Sequence, residues 1–334
     1  MKKRENSENP ADRVARALWY VTFGRAELRP VVLPSPGPGE ALVRTLWTGL
    51  SRGTERLVFE GRVPPSDGDR MRAPFQEGTF PFPVKYGYCA VGVVDDGPDP
   101  LVGRTVFALH PHQERFVVPA AELVTVPEAL PPRRAVLAAN METALNALWD
   151  SGAGPGDRIL VVGAGVVGCL VAFLAAGLPG AVVTLVDVDL SRQDAARRLG
   201  VRFSRPLDAP GDADVVFHAS GAQTGLACAL ACAGQEAVVV EMSWYGDRMV
   251  SAPLGLDFHS RRLRLISSQV GEVAPSRRPR WTRRRRLEKA MALLADERLD
   301  GLITEEVPFE ALADALPRLL APGAPGLAAV VRYA

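Results

Sequence analysis

Residues 158–168 read RILVVGAGVVG. A short apolar run passes into Gly163-x-Gly165-x-x-Gly168 and then into a second apolar stretch, the order expected of a strand, a tight turn and a helix. The first glycine permits the turn, the second lets a pyrophosphate approach the backbone, and the third lets helix and strand pack closely. Phosphate charge then meets the positive end of the helix. Gly163, Gly165, Val166, Val167 and Gly168 are therefore cofactor-binding candidates. Asp187 ends the next apolar run nineteen residues (187 − 168) beyond the last glycine. That spacing suits a carboxylate that accepts hydrogen bonds from the adenosine ribose hydroxyls. A 2′-phosphate there would meet like charge, which favours NAD(H) over NADP(H). Capping of the following helix is the competing role for Asp187, and Arg192 keeps NADP(H) open.

Downstream of this motif the pattern alternates: strand 181–186, helix 192–199, strand 215–218, a helix through Ala231, and strands 237–242 and 263–267. Such alternation predicts parallel strands joined by right-handed crossovers, an α/β doubly wound sheet. Upstream, residues 17–126 hold short β-like runs broken by Pro and Gly, which predict a compact, partly closed β domain. A helix over 133–149 marks the junction. After the sheet come a helix over 285–295, a short apolar LIT, the helix PFEALADALPRLL and a final strand LAAVVRY. A length of 334 residues suits two domains, and a hydrophobic content of 47% suits a globular chain. A net charge of +1 provides no global field for nucleic acid. The four cysteines have no disulfide or zinc-finger spacing, and the polar start MKKRENSENPADR has no signal-peptide core, so a cytoplasmic location is expected. Glycines at 163, 165 and 168 argue against a membrane span over 159–178.

TGLSRGTE (48–55), VKYGYCAVGVV (84–94), GRTVFALHP (103–111) and LDGLITEEVPFEAL (299–312) occur in the order seen in medium-chain dehydrogenases. From about Ala17 to Tyr333 the chain resembles that family. The resemblance implies a GroES-like catalytic β domain with a Rossmann domain inserted: residues 1–133, then 134–272, with 273–334 completing the first. It also implies a tendency to form homodimers. Zinc-dependent members carry a Cys where this chain has Ser51, and a His-Glu pair where it has Tyr88 and Cys89. The third-ligand region, AANMET, holds neither Cys nor His. No soft sulfur or nitrogen donor set remains for a tetrahedral zinc, so no metal is expected. SxGTE followed by Gly-Tyr is most similar to the metal-free, bacteriochlorophyllide hydroxyethyl dehydrogenase-like branch of the alcohol dehydrogenase family.

Without zinc, another donor must polarise the reacting oxygen. The resemblance directs Ser51, Tyr88 and His110 toward the reaction centre. Tyr88 is the first choice as proton donor, and His110, with His112 two positions on along an extended strand, is the second. Thr54 and Glu55 would orient substrate or complete a relay. The competing roles are plain packing for Tyr88, a pocket wall for His110 and a turn hydroxyl for Ser51. By family position Thr143 and Ser220 face the nicotinamide half of the cofactor, while Ser243 and Gln269 follow later strand ends. Trp244 and Tyr245 offer an aromatic wall, with core packing the alternative for Trp244. Cys228 and Cys232 read as helix packing, and the basic run Arg277–Lys289 as a solvated surface, with an anionic substrate or acidic partner as the alternative. The leading function is NAD(H)-dependent interconversion of a secondary alcohol and a ketone on a medium-sized polar or ring small-molecule substrate. The rivals are NAD(P)H-dependent reduction of an activated C=C bond, as in quinone and enoyl reductases, and a non-catalytic nucleotide-sensing or nucleic-acid-binding protein.

Overall fold

The structure, a computed structural model, describes residues 14–334. The polar N-terminal stretch through residue 13 lies outside the described residues. The chain divides into two compact units, the first holding residues up to Val136 with 305–325 and 329–334, the second 137–304 with 326–328.

The first unit opens with β1 (Val14–Thr22), β2 (Arg25–Val32) and β3 (Glu40–Leu50), then α1 (Arg52–Phe59). Short β4 (Glu77–Gly78) and β5 (Val84–Lys85) follow, then β6 (Ala90–Asp96), β7 (Thr105–Ala108), β8 (Arg115–Pro119), β9 (Val124–Thr125) and the single-turn α2 (Pro132–Ala135). Strands in the order β2-β1-β5-β4 form an antiparallel sheet. Along β1 exposed and buried residues alternate at Val14 to Ala17, the period-two signature of a strand with one face on a core.

The second unit begins with α3 (Ala138–Ser151), so the helix expected over 133–149 is two pieces with Val136 and Leu137 between them. Next come β10 (Arg158–Val162), α4 (Val166–Ala176), β11 (Val182–Val186), α5 (Gln193–Leu199), β12 (Arg202–Ser204) and β13 (Ala213–His218). The unit continues with α6 (Gln223–Cys232), β14 (Ala233–Glu241) and β15 (Arg264–Ser267). The six strands are parallel in the order β12-β11-β10-β13-β14-β15. This is the doubly wound Rossmann order, with β10 at the point where the winding reverses. Ile159 to Val162 on β10 are buried on both faces, because helices cover both sides of a parallel sheet.

After the sheet, α7 (Arg283–Leu293) begins two residues before the expected start, capped by the Thr282 side chain, which accepts from Arg285 N. The chain then forms β16 (Ile303–Pro308), α8 (Leu312–Leu319) and β17 (Ala328–Arg332). The last strand pairs with β3 in the sheet β16-β17-β3-β6-β7-β9, where β8 also joins β3. The return to the first unit was expected at 273 but comes at Glu305. One buried side chain holds α7 in the second unit. Arg286, 2% exposed, donates to Glu142 Oε1 at 2.9 Å, to Asn146 Oδ1 at 2.6 Å and to the carbonyls of Val270 and Glu272, fastening α7 to α3. Arg286 is thus not part of a solvated surface. Much of the rest of the run is also engaged: Arg285 lies 4.0 Å over the Trp281 ring, Arg277 lies 5.5 Å over Trp149, and Arg283 pairs with Glu272. No helix among the described residues is long and apolar enough to cross a membrane.

Burial raises the Glu142 pKa against the opposing pull of Arg286. Removing Arg286 therefore strands a buried carboxyl. Arg286→Met is expected to destabilise the second unit by about 3–5 kcal/mol. Urea unfolding followed by Trp149 and Trp281 fluorescence checks this, and an unchanged midpoint refutes the clamp.

Candidate active site

In the second unit, β10 runs straight into the glycine turn. Gly163 has φ of +107°, and a Cβ there would lie 2.6 Å from Ser220 N. At Gly168 a Cβ would lie 1.9 Å from the Gly163 carbonyl oxygen, so only glycine lets α4 sit this close to the strand. A Cβ on Gly165, by contrast, would meet nothing within 4 Å, which leaves open space before the first turn of α4. The unpaired first-turn N–H groups, among them those of half-buried Val166 and Val167, suit a bound anion there.

Asp187 follows β11 and accepts from Ala164 N at 2.6 Å and from Asp189 N at 2.9 Å. Capping falls to Asp189, which accepts from Ser191 N. Arg192 is held by Asp189, at 3.2 Å, and by the Gly326 carbonyl, at 2.7 Å. Two carboxylates thus flank this strand end, and the nearby guanidinium is already engaged. Thr143 donates its hydroxyl back to Ala139 O at 2.9 Å, and Gln269 accepts from Gly271 N at 2.7 Å within its own turn. Ser220 Oγ lies 2.6 Å from His218 Nε2, and Ser243 Oγ accepts from Gly221 N at 3.1 Å. Tyr245 donates to Glu241 at 3.1 Å. His218 and Glu241 escaped the sequence reading. Their signal is register: they end adjacent parallel strands as direct partners.

In the first unit, Ser51 caps α1 and places Thr54 and Glu55 in its first turn. Glu55 is wholly buried, yet it collects three donors: Ser51 N at 2.7 Å, Tyr20 Oη at 2.6 Å and His112 Nε2 at 3.0 Å. A buried carboxyl needs such partners. On the other side of the imidazole, His112 Nδ1 lies 2.6 Å from Thr48 Oγ1, which in turn lies 3.2 Å from the Tyr333 hydroxyl. The His112 tautomer that satisfies this chain carries its proton on Nε2, toward Glu55, and accepts from Thr48.

The Ser51 and Thr54 side chains hydrogen-bond the Tyr88 phenol, whose pKa is raised, first by burial and then by Cys89. Tyr88 therefore remains a proton donor across the neutral range. Burial, with Glu55 second, also pushes the Cys89 thiol up, the opposite of what a thiolate ligand needs. Among the described residues no group of three His, Cys, Asp or Glu side chains that could hold a metal ion is gathered.

His110 is not brought to this group. Its ring stacks on Phe116 at 3.8 Å between centroids, near Phe75, and its Nδ1 lies 3.0 Å from the Pro111 carbonyl. Nor do His110 and His112 share a strand face: β7 ends at Ala108, and Pro111 between them has no N–H for a ladder. Burial, with Lys85 second, lowers the His110 pKa from 6.5 to about 3. The unfolded chain therefore takes up this proton first as pH falls. The stability that His110 contributes is full above pH 6.5 and is lost as pH drops toward 3. Replacing His110 with Phe should flatten this part of the stability profile by up to about 1.4 kcal/mol per pH unit. Urea titrations across that range read the slope, and identical slopes would contradict the assignment.

No family model matches the chain. D-guloside 3-dehydrogenase of Escherichia coli K12 is 25% identical over 301 residues, covering 81% of this chain and 86% of that protein. The 2-desacetyl-2-hydroxyethyl bacteriochlorophyllide A dehydrogenase of Rhodobacter capsulatus is 26% identical, covering 85% and 87%. Among solved structures, L-idonate 5-dehydrogenase from Escherichia coli K-12 superposes with a TM-score of 0.78 at 16% identity, covering 96% of this chain and 98% of that one. Other neighbours of this fold were crystallised with NADP and with NADH. The homologues are zinc-type alcohol dehydrogenase-like proteins, and the fold is that of the medium-chain dehydrogenases, with GroES-like and Rossmann units.

Proposed function

We propose that this protein interconverts a secondary alcohol and a ketone with NAD(H), on a medium-sized polar ring substrate and without catalytic zinc. What supports this reading is the Tyr88 phenol, whose pKa is raised first by burial, with Ser51 and Thr54 beside it, where the medium-chain resemblance places metal ligands. A ring bearing hydroxyls accords with the sugar-derivative substrate in the name of the guloside dehydrogenase. The four free thiols accord with a cytoplasmic location.

Gly163, Gly165 and Gly168 with the start of α4 would hold the pyrophosphate, and Asp187 the adenosine ribose. When bound there, the nicotinamide supplies or accepts the hydride. Asp187 and Asp189 beside the ribose position oppose a 2′-phosphate, and Arg192 is already engaged by Asp189 and Gly326. This supports NAD(H) over NADP(H). The remaining chemistry is proton movement. On ketone reduction Tyr88 donates its hydroxyl proton to the carbonyl oxygen, and Ser51 and Thr54 stabilise the phenolate that forms. On alcohol oxidation the same groups run in reverse. Glu55 holds the Ser51 backbone, and its bonds to Tyr20 and His112 keep the turn that carries Ser51 and Thr54 in place.

Tyr88→Phe is expected to lower kcat about 10²- to 10⁴-fold with folding unchanged. Steady-state assays with NADH and NADPH against cyclic hydroxyketones and enones decide the reaction class. Turnover of enones alone, preference for NADPH, or one equivalent of zinc by elemental analysis would each overturn the corresponding part of the proposal.

A further inference from the structure

The chain Glu241–His218–Ser220 lies at the carboxyl ends of β13 and β14. Glu241 accepts from Ser243 N at 2.8 Å, from the Tyr245 hydroxyl at 3.1 Å and from His218 Nδ1 at 2.8 Å. Burial works against its charge, but His218 and the Ser243 N–H outweigh it and hold its pKa below the ordinary carboxylate value. Glu241 is thus an ionised acceptor, and the His218 proton facing it sits on Nδ1. On the far side of the ring Nε2 lies 2.6 Å from Ser220 Oγ, and in the tautomer that keeps its proton on Nδ1 it takes the serine proton, which then points inward. One Oγ lone pair takes the Ala222 N–H at 3.2 Å, and what Ser220 has left to show solvent is acceptor only. Gly225 is part of this construction: a Cβ there would lie 2.1 Å from Ser220 Oγ and 2.7 Å from His218 Nε2.

Ser220 also abuts the glycine turn, since a Cβ on Gly163 would lie 2.6 Å from its backbone nitrogen. Asp187 follows β11, on one side of β10, and Ser220 follows β13, on the other. A dinucleotide with its adenosine ribose at Asp187 crosses the end of β10 and brings its second nucleoside toward Ser220. Pyrophosphate has no donor for an acceptor-only serine. The nucleoside beyond it carries ribose hydroxyls, which can donate.

The geometry assigns His218 and Glu241 as positioning residues that keep Ser220 a hydrogen-bond acceptor for a ribose hydroxyl of the nicotinamide nucleoside. This rests on the dinucleotide reading above. Titration calorimetry of the full chain with NAD, ADP-ribose and ADP separates the two. ADP-ribose keeps the second ribose without the nicotinamide, and ADP lacks both. Ser220→Ala should weaken NAD and ADP-ribose about fivefold and leave ADP unchanged. Glu241→Gln, close in shape, offers the imidazole an amide N–H, which reverses the proton order along the chain and should weaken the same two ligands. Equal losses on ADP, a loss on NAD alone, or no loss at all would each overturn the assignment while leaving the dinucleotide reading intact. Failure of the unsubstituted protein to bind any of the three would overturn both.

Discussion

A methyl group has nowhere to go at residue 168. Its carbon would stand 1.9 Å from the backbone carbonyl oxygen of residue 163, so the approach of α4 to β10 exists only because residue 168 is glycine. The position of the helix N-terminus depends on that contact, and so does the open space above Gly165. The same turn presents Ala164 N to Asp187 and presses against Ser220, so the ends of β11 and β13 are both set by it. What the second unit can bind is decided by backbone clearance before any side chain chooses a ligand.

The first unit is organised around a different constraint. Glu55 is a carboxyl with no access to solvent, and its two oxygens are satisfied by Ser51 N, Tyr20 and His112. Each of these groups is thereby oriented. Ser51 is held at the head of α1, and His112 is fixed in one tautomer by Thr48 on its far side. Satisfying a buried carboxyl and holding a turn of hydroxyl donors are one arrangement seen from two ends.

The parts legible in the sequence were those where the backbone makes a local demand. Gly163, Gly165 and Gly168 state theirs in one short stretch, and the alternation of strand and helix after them gave the parallel sheet. His218 and Glu241 make no local demand. They become a pair only because β13 and β14 run parallel with these two residues opposite each other, a fact of register between distant segments. Arg286 was hidden among identical neighbours, although it precedes the buried Ala290 by one helical turn and so shares its face. His110 and His112 do not share a face, because alternation cannot run through Pro111, where no ladder bond can form.

The two units place charge differently, and the difference bears on chemistry. At the ends of β11 and β14 carboxylates stand partly exposed, where they can accept from hydroxyls and repel phosphate. Around Tyr88 the neighbours are neutral hydroxyls, and the one nearby carboxyl, Glu55, is turned away onto Tyr20, His112 and a backbone N–H. The bonds that satisfy the buried Glu55 hold its oxygens on Tyr20, His112 and the Ser51 N–H, so this carboxyl and the head of α1 are fixed together.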